Sequence, residues 1–162
     1  MAAAPMSISG IVFNRHALGN PEAWELPNFE AVRRKGVALF GRVATARGAA
    51  KMYAAAFGSI DGAEPLLTGE TIRKIVQIRS MGYDVVTRDH RAFTAGFHPT
   101  AEYFPSFGGG TFGHSGVGGR QTFADPRHET AFAHVRRWLA EQSVAVEDIG
   151  KLIDPLKAVE GR

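Results

Sequence analysis

The sequence predicts an α+β domain, on three observations. An alanine-rich stretch behind Thr45 has the composition of a helix, and a second helix opens at Thr68. Gln121-Thr122-Phe123-Ala124 has the composition of a strand and is followed by the turn Asp125-Pro126-Arg127-His128. Between helices and strand lie seven glycines in the twelve residues from Gly108 to Gly119. That density marks a backbone that turns tightly or approaches something closely.

Along the chain, residues 1–30 carry few periodic signals, with turns at Asn20-Pro21 and Pro27-Asn28 and a short extended piece expected over Ile11, Val12 and Phe13. Thr45 is a good N-cap for the helix that follows, because its hydroxyl can accept from a first-turn N–H that has no partner inside the helix. Ala49, Met52 and Ala56 share a face, Tyr53 and Phe57 lie beside it, and Gly58 supplies the stop. Thr68 caps the next helix, with Glu70 in its positive first turn, and Ile72, Ile75, Val76 and Arg79 extend it to Gly82. Residues 83–87 and 93–97 are expected to be extended, and residues 98–107 a loop containing Pro99 and Pro105. Residues 129–139 fit a helical face through Phe132, Val135 and Leu139, and equally a strand alternation through Phe132 and His134. Val146 to Val159 places Ile149, Leu152, Ile153 and Leu156 at helical spacing, with Pro155 a potential kink.

Composition narrows the function. With 44% hydrophobic and 22% charged residues the chain is ordinary for a globular protein. It has no cysteine, which excludes disulfides, thiol catalysis and cysteine-built zinc sites. Met1-Ala2-Ala3-Ala4-Pro5-Met6-Ser7 has no basic residue ahead of an apolar run and makes a poor signal peptide, and no apolar stretch approaches a membrane span. A cytoplasmic protein without membrane contact is expected. The net charge of +3 is spread among acidic residues, without an aromatic-plus-basic pattern, so no nucleic-acid partner is expected.

Few motifs carry chemistry. Gly108, Gly110 and Gly113 match G-x-G-x-x-G, but Pro105 precedes them and further glycines follow, so no helix N-terminus is available for a pyrophosphate. The six histidines, His16, His90, His98, His114, His128 and His134, do not pair at metal-ligand spacing and are expected mostly at the surface; neither metal nor cofactor is expected. His114-Ser115-Gly116 is a polar pair on a glycine-rich strand, which alone describes a tight strand with polar edge residues.

The surroundings of that pair add a resemblance. Residues 112–135, from Phe112-Gly113-His114-Ser115-Gly116 to Ala131-Phe132-Ala133-His134-Val135, are similar to the β3–β4–β5 region of the serine β-lactamase-related esterases and penicillin-binding-protein relatives. His114-Ser115-Gly116 matches the His-x-Gly form of that family's third motif, Gly118-Gly119 its turn into β4, and Phe123-Ala124-Asp125-Pro126 its turn toward β5. Ala44-Thr45-Ala46-Arg47-Gly48 through Tyr53 resembles a helix of the family, and Asp61-Gly62 through Thr71 the segment after it. The resemblance covers about residues 40–137 and implies a single partial β-lactamase-like domain over 1–162. That domain would be an antiparallel β3–β4–β5 sheet with helices packed on it, and 138–162 a helical tail. It also turns residues 130–136 into a strand.

The resemblance implies roles. His114, Ser115 and Gly116 would face the substrate, and the Val117 backbone N–H would be one oxyanion-hole donor, which works by pointing where negative charge develops. The family's nucleophile motif S-x-x-K and its Y-x-N motif have no match: no serine has lysine three residues on, and no tyrosine has asparagine two residues on. Thr71-Ile72-Arg73-Lys74 fits T-x-x-K on paper but lies in a different segment from the family's nucleophile. The expectation is a C-terminal fragment of an ester- or amide-hydrolysing enzyme, with no complete catalytic set and inactive alone. It would be completed by a nucleophile-bearing chain, or joined to another copy or chain through the β5 edge. The alternative is a non-catalytic binding or interaction module that keeps part of the fold.

Overall fold

The computed structural model describes residues 4–12, 19, 21, 25, 28–35, 43–116, 118–140 and 142–160. They fall into two compact units: Thr45–Met81 with Ala92–Arg162, and Met1–Ala44 with Gly82–Arg91.

The larger unit is organised by a three-stranded antiparallel sheet in the order β3-β4-β5, formed by β3 (Phe112–Gly116), β4 (Arg120–Asp125) and β5 (Thr130–His134). This is the α+β arrangement expected from the sequence, and the 130–136 segment is a strand over its first five residues. Alternation along the strands sends side chains to two cores. Phe112, Ala124 and Ala131 face one side, where they meet Tyr53, Ala56 and Phe57 of α3 (Ala46–Phe57) and Ile72 and Ile75 of α4 (Gly69–Ile75). Phe123 and Phe132 face the other, against Phe104, Phe107 and Val146, Ile149 and Ile153 of α5 (Gln142–Glu160). Phe123 is fully buried, with its ring centroid 4.8 Å from Phe107 and 5.2 Å from Phe132.

The helix caps are as expected. Gly48 N–H donates to Thr45 Oγ1 at 3.1 Å and Thr71 N–H to Thr68 Oγ1 at 3.2 Å. The buried face of α3 differs: Tyr53 is buried and Met52 exposed, because Tyr53 packs against Phe97 and Phe112 in the core on that face of the sheet. Helix α4 ends at Ile75 rather than continuing to Gly82. The next residues are drawn into a hairpin: Arg79 N–H donates to Phe93 O at 2.8 Å, and β1 (Ser80–Asp84) pairs with β2 (Asp89–Phe93). Residues 85–88 are therefore a turn, and residues 94–97 curl back with Gly96 at φ 89 and Thr94 N–H on Phe97 O. The expected loop at 98–107 contains two single 3-10 turns, Thr100–Glu102 and Pro105–Phe107. In α5, which begins at Gln142 rather than Val146 and contains Pro155, Ile149 and Ile153 are buried but Leu152 is exposed; the Leu156 side chain lies outside the described residues.

In the smaller unit, Ile8–Val12 is a short helix, α1, where an extended piece was expected. Gly10 N–H donates to Ser7 Oγ at 3.1 Å, closing its first turn, and Phe13 lies outside the described residues. Its second helix, α2, is Glu30–Lys35, with Arg34 paired to Glu30 one turn away. Asp84 closes the hairpin tip by accepting from the N–H groups of Val86 and Thr87. These bonds, from Thr87 and Val86, hold its carboxyl below the ordinary range. Among the described residues no helix is long and apolar enough to cross a membrane.

Candidate functional site

His114 sits at the centre of β3, opposite Thr122 of β4, with Ser115 opposite Gln121 and Gly116 opposite Arg120. The strand is anchored at its start and open at its middle: Phe112 and Gly113 are buried, His114 is exposed, and Ser115 and Gly116 are half-buried. At Gly113 a Cβ would lie 2.1 Å from Thr122 O and 2.5 Å from Phe123 Cβ, so this close approach requires glycine. Beyond β3, Gly118 and Gly119 take φ of 80 and 85 in the turn, a conformation suited to glycine. A Cβ on Gly118 would collide with Leu139, and one on Gly119 with Ala145. The glycines therefore serve compaction as well as turning.

Three neighbours define the surroundings of His114. Its ring lies 4.1 Å, centroid to centroid, from that of His98, with the planes 34° apart. His98 is buried, an exception among histidines expected mostly at the surface, because an isolated bridge fastens it to β3: His98 N–H donates to Gly113 O at 2.8 Å and Gly113 N–H returns the bond at 3.3 Å. Phe93 meets the His98 ring edge-on at 4.6 Å, and Tyr103 stacks on it at 6.5 Å. Behind the strand, Thr122 Oγ1 donates to His114 O at 3.4 Å, and the Tyr53 hydroxyl of α3 approaches the same side chain. Burial raises the Tyr53 phenol above its ordinary value, and the bond to Thr122 offsets only part of that. The His114 Nδ1 lies 2.5 Å from Ser115 O.

The structure thus brings His114, Ser115 and Gly116 together on one strand. Val117, the expected oxyanion donor, lies outside the described residues. His98, Tyr103, Thr122 and Tyr53 were not legible as site residues. Their contribution comes from a bridge and a helix contact between segments distant in sequence, and nothing around His98 in the sequence distinguishes it from the other histidines.

The T-x-x-K match is accounted for by helix architecture. Thr71 Oγ1 lies 3.0 Å from the capping Thr68 Oγ1, and Lys74 pairs with Glu70 at 2.6 Å on an exposed face of α4. Among the described residues no three His, Asp or Glu side chains converge as metal ligands do.

A second polar cluster braces the glycine loop ahead of β3. Asp125 is fully buried and accepts from Arg127 Nε and Nη2, each at 3.0 Å, and from His128 Nδ1 at 2.9 Å. Burial opposes its ionisation, but the bonds and charges of Arg127 and His128 outweigh that and hold the carboxyl below its ordinary value. Arg127 Nη2 also donates to Phe107 O at 2.5 Å, and its side chain lies against Gly110.

No protein-family model matches this chain, and no curated protein does. Solved structures do, two of them as follows. EstA from Arthrobacter nitroguajacolicus Rue61a superposes with a TM-score of 0.77 at 27% identity, over 96% of this chain and 44% of that one. A novel penicillin-binding protein homologue from Caulobacter crescentus superposes with a TM-score of 0.52 at 31% identity, over 64% of this chain and 30% of that one. The chain spans less than half the length of the solved chains it resembles.

Proposed function

From a chain that carries part of a serine β-lactamase-related fold, we propose that residues 1–162 supply the substrate-facing wall of an acyl hydrolase of the esterase or β-lactamase type, corresponding to the C-terminal portion of such an enzyme. The observation that carries this reading is the His114-Ser115-Gly116 strand, exposed at its middle and braced from behind by Thr122 and from the side by His98. Its sequence resembles the His-x-Gly form of the family's third motif. The partial coverage of the solved relatives supports the view that the rest of the site belongs to another segment or chain.

In this reading the chain's own residues orient and do not acylate. His114 and Ser115 present polar groups toward the acyl substrate, and the Val117 N–H supplies one donor of an oxyanion hole. The nucleophile, in S-x-x-K, comes from outside the 162 residues, because no serine here has the required lysine. The test is covalent labelling. A fluorophosphonate or a penicillin probe leaves this chain alone unlabelled, and labelling appears when a segment carrying S-x-x-K is supplied. Robust labelling of any serine within 1–162 would sink the proposal.

A second reading rests on β5, which among the described residues is an edge of its sheet and keeps all five positions half-buried. As a non-catalytic module the chain would recruit another copy or another chain by strand pairing there. Light scattering after size-exclusion chromatography separates the two: a well-folded monomer at all concentrations counts against the edge-pairing reading.

A further inference from the structure

A neutral imidazole has one donor and one acceptor nitrogen, and the partner kept by one decides the role of the other. At His114 the partner of Nδ1 is the main-chain oxygen of Ser115. A carbonyl oxygen only accepts, so Nδ1 carries the proton and Nε2 of the neutral ring is the acceptor. The arrangement is local to the strand and does not depend on the protonation of another side chain. The plane of the ring is set separately, by the His98 ring 4.1 Å away. His98 is itself immobilised, through two backbone bonds to Gly113 and ring contacts with Phe93 and Tyr103.

We propose that His114 is held as the Nδ1–H tautomer and offers Nε2 to a hydrogen-bond donor on the ligand, an alcohol O–H or an amine N–H, with His98 as the residue that positions the ring. The inference rests on the reading of β3 as the ligand-facing strand. It assigns a preference: a hydroxyl- or amino-bearing group is served by the neutral ring, whereas a carboxylate or carbonyl oxygen needs a donor that this tautomer does not present.

The test is nitrogen NMR of the uniformly labelled 162-residue chain at about pH 8.5, on the basic side of the ordinary imidazole range. His114 Nδ1 is expected at a protonated, pyrrole-like shift and Nε2 at a pyridine-like shift. A dominant Nε2–H tautomer, or the averaged shifts of a freely exchanging ring, would overturn the proposal. The His98→Phe variant keeps a stacking ring and should keep the ring-current shifts of the His114 protons, while His98→Leu should lose them. Unchanged His114 shifts in His98→Leu remove His98 as the positioning residue. If that variant does not fold, loss of the His114 ring-current shifts in folded His98→Phe does the same.

Titration with 2-phenylethanol and with its methyl ether completes the experiment. The alcohol should move the Nε2 resonance and the ether, which lacks the donor, should not. Equal response to both overturns the acceptor role. No response to either, with the tautomer as expected, overturns the ligand-facing reading of β3 on which the inference rests.

Discussion

The fully buried carboxylate of Asp125 grips the guanidinium of Arg127, two residues on, through two nitrogens at 3.0 Å each. The same guanidinium reaches Phe107 O, so one ion pair ties the β4–β5 turn to the loop ahead of β3. Asp125→Asn keeps the shape and removes the charge. Because the Arg127 side chain is 45% exposed and recovers much of its hydration, the expected loss is about 2 kcal/mol, below the cost of breaking a wholly buried pair. The pH dependence has a definite sign. The folded carboxyl titrates below its ordinary value of 3.8. Its contribution is complete above that value and disappears as the pH falls through the folded one. Urea midpoints of the two proteins should differ at neutral pH and converge on acidification; a difference that persists in acid would remove the carboxylate as the cause.

Gly113→Ala places a Cβ 2.1 Å from Thr122 O, a backbone atom held by the β3–β4 pairing. Nothing flexible is available to move, so the strands must separate, and a loss of about 3 kcal/mol or more is expected, at the upper end for overpacking. Gly109→Ala is the control: its Cβ meets nothing within 4 Å, and its cost should stay within about 0.5 kcal/mol, as for an ordinary surface change. Urea unfolding followed by circular dichroism measures both. Equal effects would mean that the glycines serve chain flexibility rather than close approach.

Thr45→Ala removes the acceptor for Gly48 N–H at the start of α3. A cap of this kind contributes about 1 kcal/mol. Because α3 packs on β4 and β5, the loss should appear in the cooperative unfolding of the whole unit rather than as local fraying. An unchanged urea midpoint would show that α3 is held by Tyr53 and its neighbours alone.

The sequence announces features whose causes are local. Thr45, Thr68 and Gly58 end their helices through neighbouring backbone groups, and Gln121 to Ala124 alternates between two cores as a strand must. Features fixed by remote partners are not announced. Helix α4 stops at Ile75 because Arg79 bonds to Phe93, a residue that no helical periodicity reports. Residues 130–134 satisfy both periodicities, and the pairing of Phe132 with Phe123 makes them the strand that the resemblance implies. Of the candidate site, the residues on β3 were legible through the family motif. Their supports were not, because His98 reaches Gly113 across fifteen residues and Tyr53 reaches Thr122 from another element.

That last support yields a prediction at the alkaline end. The Tyr53 hydroxyl approaches the Thr122 side chain, whose hydroxyl donates to His114 O, so a helix residue is linked through β4 to the candidate site. Tyr53→Phe should cost about 1 kcal/mol, the usual net value of one hydrogen bond, since the ring and its contacts with Phe97 and Phe112 remain. Burial raises the folded phenol above its ordinary value of 10.0. The folded state therefore holds its proton at a pH where the unfolded chain has lost it. Stability is intact below the unfolded value and declines as the pH rises from there toward the folded one. Tyr53→Phe has no proton to lose, so its stability should fall less steeply across that alkaline window. The amide resonances of Thr122 and His114 should shift in the variant while those of α5 do not. Identical alkaline profiles for the two proteins, with no movement at His114, would mean that the hydroxyl supports neither the fold nor the site strand.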